Sequence, residues 1–447
     1  MNQFHDPVNK LPPELVSRVF TLCMFAGEEP LPYYPFLNPL PYVTQPPLLL
    51  GTVCKRWRDI AWSTPRLWTR LNLYLDPSIV DWQTLMTQEW LARSGSLPLS
   101  IRLHSRGERD LSSSADLFRP LMYLLSRQSA RWRDLKVALP HSLVALLRGD
   151  LHGVSALQTI LIKNTSGFRT ERSEGSFHLG QTAPSLISVE VKTFYFRSVG
   201  IDWRHVNTVR LGEVFVDECL QLFQLASSMV TCEFSLVVEG SGGFGIPVDT
   251  VVSHSVQRLV ICSFVVEGGL INDILSFLTQ SSLMPPKTNS SDSYATPHLK
   301  ILRVFHLNIE NHFLDLLATT ALSSTDEQGE SRRFLPHLGD LSLFGGRDYL
   351  LKNLPRIFAS GPQSQKQLRR PWEMMEIGFY WHEDVGFIDQ DLLKELLEII
   401  DRGIDLKITN EETGANLIER SQRHHGMLDT EDEEDGMTDD PSDDENP

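Results

Sequence analysis

Short segments in which apolar and polar residues alternate recur along most of this 447-residue chain. The clearest are Leu71-Asn72-Leu73-Tyr74-Leu75, Leu99-Ser100-Ile101-Arg102-Leu103 and Leu135-Lys136-Val137-Ala138-Leu139. The same alternation runs through 157–162, 186–191, 206–211, 232–237, 256–261, 299–304, 338–343 and 375–379. A period of two gives each strand one apolar face. Helix-like stretches lie between some of them, at 217–227, 269–280, 310–322 and 389–402. Two segments even open alike, with Ala183-Pro184-Ser185-Leu186 and Thr296-Pro297-His298-Leu299. Strand, turn and helix at intervals of roughly 20 to 40 residues is the pattern of stacked units. No unit can bury its own apolar edge, so neighbours must share a core. The expected fold class is therefore mixed α/β. Its main body is an irregular leucine-rich-repeat-like solenoid, because the spacing varies and the asparagine of well-formed repeats is largely missing.

Apolar residues make up 41% of the chain, enough for a large core. The five cysteines are widely spaced and include no Cys-x-x-Cys pair, so neither a zinc site nor a disulfide framework is expected. They read as small buried hydrophobes in a reducing compartment. Residues 1–10 carry no apolar signal region, and no run approaches the length of a membrane span. The expected location is cytoplasmic, nuclear or both, with Asn164 and Asn289 unglycosylated. The net charge of −16 is unevenly spread, since eleven acids and no base follow Leu428. The preceding residues are only mildly acidic, which gives no reason to expect a nucleic-acid partner. The segment 411–447 is expected to be a disordered acidic tail, its block of like charge lacking apolar periodicity. Thr430 and Ser442, each followed by acids, fit an acid-directed kinase. The plainer reading is a solubilising tail.

The N-terminal region reads differently. Pro12 and Pro13 suit the first helical positions, and Leu15, Val19 and Phe20 continue at helical spacing. A proline-dense loop spans 27–47 and excludes regular structure. Leu48, Leu49 and Leu50 open a second helix. Val53, Trp57, Ile60 and Ala61 mark a third, and Thr64-Pro65 begins a further turn closed by Leu67 and Trp68.

Three motifs stand here in order: Leu11-Pro12-Pro13-Glu14, Val53-Cys54-Lys55-Arg56-Trp57 and Leu67-Trp68. Together they resemble the F-box, the docking module of ubiquitin-ligase substrate receptors. Trp90-Leu91-Ala92-Arg93-Ser94-Gly95, Ser129-Ala130-Arg131-Trp132-Arg133 and Asp217-Glu218-Cys219-Leu220 resemble phrases in F-box-like proteins of mushroom-forming fungi. The resemblance implies an all-α three-helix F-box at 10–75, with the proline-rich loop 27–47 inserted. It implies a leucine-rich-repeat-like region at 76–410. A Skp-type adaptor would bind the module and link it to cullin and RING subunits, and the repeats would select an unknown protein substrate. Leu11, Pro12, Leu15, Val19, Leu48, Leu49, Val53, Trp57, Leu67 and Trp68 are the expected adaptor-binding residues. A helical module of this size has little core of its own, so a partner helix can complete it. The alternative is a repeat scaffold outside any ligase, carrying a vestigial F-box.

Other chemistry is weakly signalled. Gly240-Ser241-Gly242-Gly243-Phe244-Gly245 matches a phosphate-binding pattern. The Ile-Pro-Val that follows does not begin the helix such a loop needs, so a flexible loop is expected. Polar loops are also expected at 281–296, 323–333 and 360–370. His424-His425 lacks further metal ligands, and Lys55, Arg56 and Arg58 read as the wet face of a helix. Trp203 and Trp381 read as repeat-core or surface anchors. No carboxylate pair or nucleophile elbow is visible, so neither enzyme activity nor a cofactor or metal is expected.

Overall fold

The computed structural model describes residues 10–25, 46–105, 111, 114–149, 156–165, 177–179, 186–238, 255–262, 264–265, 298–305, 314, 317–318, 335, 337–344, 349–358, 370–379, 386–411 and 413–428. Outside them lie nearly all of the proline-rich loop, the glycine-rich segment 240–245, the helix expected at 269–280 and the loops at 281–296 and 323–333. Trp381, Asn289, most of 310–322 and 360–370, and the tail from 429 are outside them too. The chain divides into two compact units, Met1–Val304 with Phe334–His337, and Phe305–Arg333 with Leu338–Pro447.

The first unit begins with three helices, α1 (Pro13–Phe25), α2 (Pro46–Val53) and α3 (Lys55–Trp62), and a 3-10 turn at Pro65–Trp68. A parallel sheet follows. Its strands are β1 (Arg70–Leu75), β2 (Leu99–Ser105), β3 (Trp132–Leu139), β4 (Thr159–Asn164), β6 (Ser188–Lys192), β8 (Thr208–Phe215), β9 (Thr231–Val238), β10 (Arg258–Ile261) and β12 (Ile301–Val304), which pair in that order. The short β5 (Phe177–His178) and β7 (Val199–Gly200) pair with each other, and β11 (Phe264–Val265) pairs with β9. Parallel neighbours need crossover connections, which explains the helices between strands. Among these are α4 (Val80–Arg93), α5 (Arg119–Ser126), α6 (His141–Val144) and α7 (Val216–Leu225).

Strand alternation places two apolar ladders on one face. One runs through Leu71, Ile101, Leu135, Ile160, Val189, Val209, Cys232, Leu259 and Leu302. The next begins Leu73, Leu103, Val137, Ile162 and Val191, two residues further along each strand. Every member of both is buried. A one-residue slip in any strand would turn its apolar set outward, so the core itself fixes the register.

The other sheet face carries polar and charged side chains. There the Tyr74 and His104 rings stack at 5.2 Å. Burial, reinforced by the nearby charges of Arg102 and Lys136, lowers the His104 pKa to about 4. The folded state therefore disfavours protonation that the unfolded chain accepts near pH 6.5. Stability from this group is complete above about pH 6.5 and falls as the pH drops toward 4. By pH 5 the loss is about 2 kcal/mol. Urea titrations at pH 7 and pH 5 should show that loss, and His104→Gln should reduce it; an equal pH dependence in both proteins would refute the assignment.

In the second unit β13 (Asp340–Phe344), β14 (Met374–Phe379) and β15 (Asp405–Asn410) are parallel, with Leu341, Met375 and Leu406 in one buried rung. Helices α8 (Tyr349–Ile357), α9 (Gln390–Asp401) and α10 (Leu417–His424) accompany them. Helix α10 lies within 411–447, so the disordered tail expected there is corrected over 417–424, where Leu417, Ile418 and Ser421 are buried. Asp389 caps α9 by accepting the Asp391 N–H, and Asn416 caps α10 through Ile418. His424 stacks on Phe387, while His425 Nε2 lies 2.9 Å from the Ile388 carbonyl. His425 thus closes the end of α10, while His424 stays exposed on the surface beside Phe387.

No helix among the described residues is long and apolar enough to cross a membrane. Cys219 and Cys232 are buried, as expected, but Cys23 and Cys54 are exposed. The Cys54 sulfur instead accepts the Trp57 N–H at 3.4 Å and caps α3.

Candidate partner-binding face

Helix α1 is apolar on two sides. Val16 and Phe20, four residues apart, are buried. Leu11 just before the helix, then Leu15, Val19 and Leu22, form a second stripe that stays exposed. Leu15 and Leu22 retain 48% and 62% of their surface. An isolated exposed leucine is ordinary, but four at helical spacing form a patch. Helix α2 repeats the arrangement: Pro47 and Gly51 face inward, while Leu49 and Val53 remain 50% and 56% exposed. Gly51 is required by close packing, because a Cβ there would stand 2.2 Å from the Trp62 ring.

The inner side is firmly built. Phe20 and Trp57 pack with ring centroids 4.8 Å apart. Arg58 Nε donates to the Gly51 carbonyl at 2.8 Å, tying α3 to α2. Arg56 donates to the Leu11 carbonyl at 2.7 Å, holding the chain at the start of α1. These arginines join elements, beyond forming a wetted helix face. Thr64 does not cap the 3-10 turn through its side chain. Its hydroxyl donates to the Ile60 carbonyl and lies 3.1 Å from the Ser17 hydroxyl.

The expected adaptor-binding residues divide into two groups. Leu11, Pro12, Leu15, Val19, Leu49 and Val53 are exposed, and Leu48 and Trp57 are partly covered. Leu67 and Trp68 require correction, being 0% and 2% exposed. Their 3-10 turn lies against α1, α2 and α4, so they hold the module together and offer no surface to a partner. Val53 also closes α2 rather than opening α3. Leu22 is the member that the expected set lacked; its spacing from Leu15 and Val19 was the available signal.

Among the described residues, no three His, Cys, Asp or Glu side chains converge as a metal site. Trp203 is buried and packs 4.8 Å from Phe196, a core position. No protein-family model matches the sequence, and a search of curated proteins finds no match.

Proposed function

We propose that this chain is a substrate receptor of a Skp–cullin–F-box ubiquitin ligase. The observation that carries this reading is the pair of apolar stripes left uncovered on α1 and α2, whose opposite faces are already packed. Leu11-Pro12-Pro13-Glu14 stands at the start of α1, and Val53-Cys54-Lys55-Arg56-Trp57 spans the α2–α3 junction. The F-box docks the Skp-type adaptor, and through it the cullin and RING subunits. Within the first unit the parallel strands of the main sheet lie in chain order, which supports the leucine-rich-repeat-like reading of the body, the part that presents the target. The chain forms no bond itself; it contributes proximity and orientation. Its site of action is the cytoplasm or nucleus.

Covering one of these half-exposed side chains is worth roughly 1 kcal/mol. Six such residues, Leu11, Leu15, Val19, Leu22, Leu49 and Val53, supply a substantial drive for association. The full-length protein should co-purify with a Skp-type adaptor, and Leu15→Asp/Leu49→Asp should abolish capture while leaving the melting temperature within a few degrees. Failure of the unaltered protein to capture the adaptor would overturn the proposal. Adaptor capture without cullin would favour the non-ligase scaffold.

A further inference from the structure

The open face of the first unit's sheet carries an unusual run of charge. Five neighbouring strands each contribute a cation: Arg70 on β1, Arg102 on β2, Lys136 on β3, Lys163 on β4 and Lys192 on β6. The register makes the arrangement tighter. Arg102 stands directly opposite Lys136, and Lys163 directly opposite Lys192 in the next rung. Like charges facing one another across a strand pair destabilise the sheet. Lys192 is offset by an ion pair with Glu190 at 2.6 Å. Arg102 and Lys136 are partly buried, and neither has a hydrogen-bond or ion-pair partner among the described residues. Further along the sheet the pattern changes, because Arg210 on β8 is paired with Glu233 on β9 at 3.1 Å.

We infer that this face binds an extended, carboxylate-rich segment of a target protein, laid across strands β1 to β6. Neighbouring strands are about 4.8 Å apart, and the five cations step over three rungs, so the diagonal they form spans about 19 Å across the strands and about 14 Å along them. A single phosphate calls for donors that converge on a point. A line of cations suits side-chain carboxylates distributed along an extended peptide, whose alternate residues are about 7 Å apart. The Tyr74–His104 stack borders the Arg102–Lys136 pair and gives the segment a flat surface beside its charges. The whole chain is acidic at −16, so attraction for an acidic peptide must come from a local field such as this one. The inference deepens the receptor reading by naming the chemistry of the target, and it rests on that reading only for the target's fate.

The test uses the full-length protein and a fluorescent twelve-residue glutamate-rich peptide, with its glutamine counterpart as control, followed by anisotropy. The glutamate peptide should bind, weaken with added salt and be preferred over the glutamine peptide. Arg102→Ala/Lys136→Ala should weaken it by on the order of tenfold, while Arg102→Lys retains most binding. Removing facing like charges should leave the melting temperature unchanged or higher, which separates loss of binding from unfolding. Unaltered affinity in the double variant, equal binding of the glutamine peptide, or stronger binding of a single-stranded RNA of similar length would overturn the inference. Leu15→Asp/Leu49→Asp should bind the peptide normally while losing the adaptor. Failure at the sheet is thereby distinguishable from failure of the docking face.

Discussion

Trp68→Ala should lower the stability of the first unit by about 4 kcal/mol, the cost of removing a large aromatic side chain from a packed interior. Trp68 is almost fully enclosed and meets Trp62 and Trp90 edge to face, at 5.3 and 4.8 Å. Its indole N–H donates to the Ala61 carbonyl at 2.9 Å. The Arg93 guanidinium lies 5.2 Å from its ring centre and 5.4 Å from that of Trp62. Trp68 therefore joins α3 to α4, and α4 packs on β1. Its removal loosens the helical cluster from the sheet as well as opening a cavity. Trp68→Phe preserves much of the ring contact but loses the N–H donor, and should cost about 1 to 2 kcal/mol. Leu15→Asp, on the exposed stripe, should change stability by only about 0.5 kcal/mol. Urea denaturation of the three variants measures the ranking; a Trp68→Ala protein as stable as the parent would show that this aromatic junction is not structural.

The strands were legible in the sequence because one alternating signal determines both conformation and burial. All eleven expected segments coincide with strands, although several begin two residues late, as at Thr159 rather than Leu157. Leu157, Leu186, Val206, Val256 and Leu299 are buried ahead of their strands, so an apolar run overestimates where pairing starts. β15 escaped notice because only Leu406 and Ile408 carry its alternation. Helix α4 escaped for a different reason. Its inward positions include Gln83 and Thr87 beside Val80, Trp90 and Leu91, so the apolar stripe is interrupted where the helix is most enclosed. The Gln83 amide donates to the Tyr74 carbonyl and holds α4 against β1, a role invisible to hydrophobic periodicity.

The candidate docking face was only partly legible for a related reason. Helical spacing identifies residues on a common side but not which apolar side faces inward. Leu15 and Val16 are neighbours in sequence and opposites in burial. Leu67 and Trp68 carry a motif yet are covered by three other elements, an outcome determined by packing between segments distant in sequence. The cationic row was unreadable because its five members are scattered over more than a hundred residues; strand register alone brings them together.

Glu218→Ala should cost about 3 kcal/mol, a large effect for a residue that hydrophobicity would place on the surface. Glu218 is fully buried near the start of α7. One carboxylate oxygen accepts the Phe215 N–H at 3.1 Å, satisfying a donor at the helix N-terminus. The other accepts the Phe196 N–H at 2.9 Å, in the 3-10 turn Phe196–Ser198. Alanine would strand both donors away from water, and a buried unpaired N–H costs more than the net worth of its bond. Only the Glu218 half of a capping box operates here, because Phe215 has no side-chain acceptor. Glu218→Gln keeps the shape and one carbonyl oxygen, so it should cost roughly half as much. The order parent, Gln, Ala in urea midpoint supports a two-ended staple between α7 and the 196–198 turn. Equal loss in both variants would instead assign the stabilisation to the carboxylate's negative charge at the helix N-terminus.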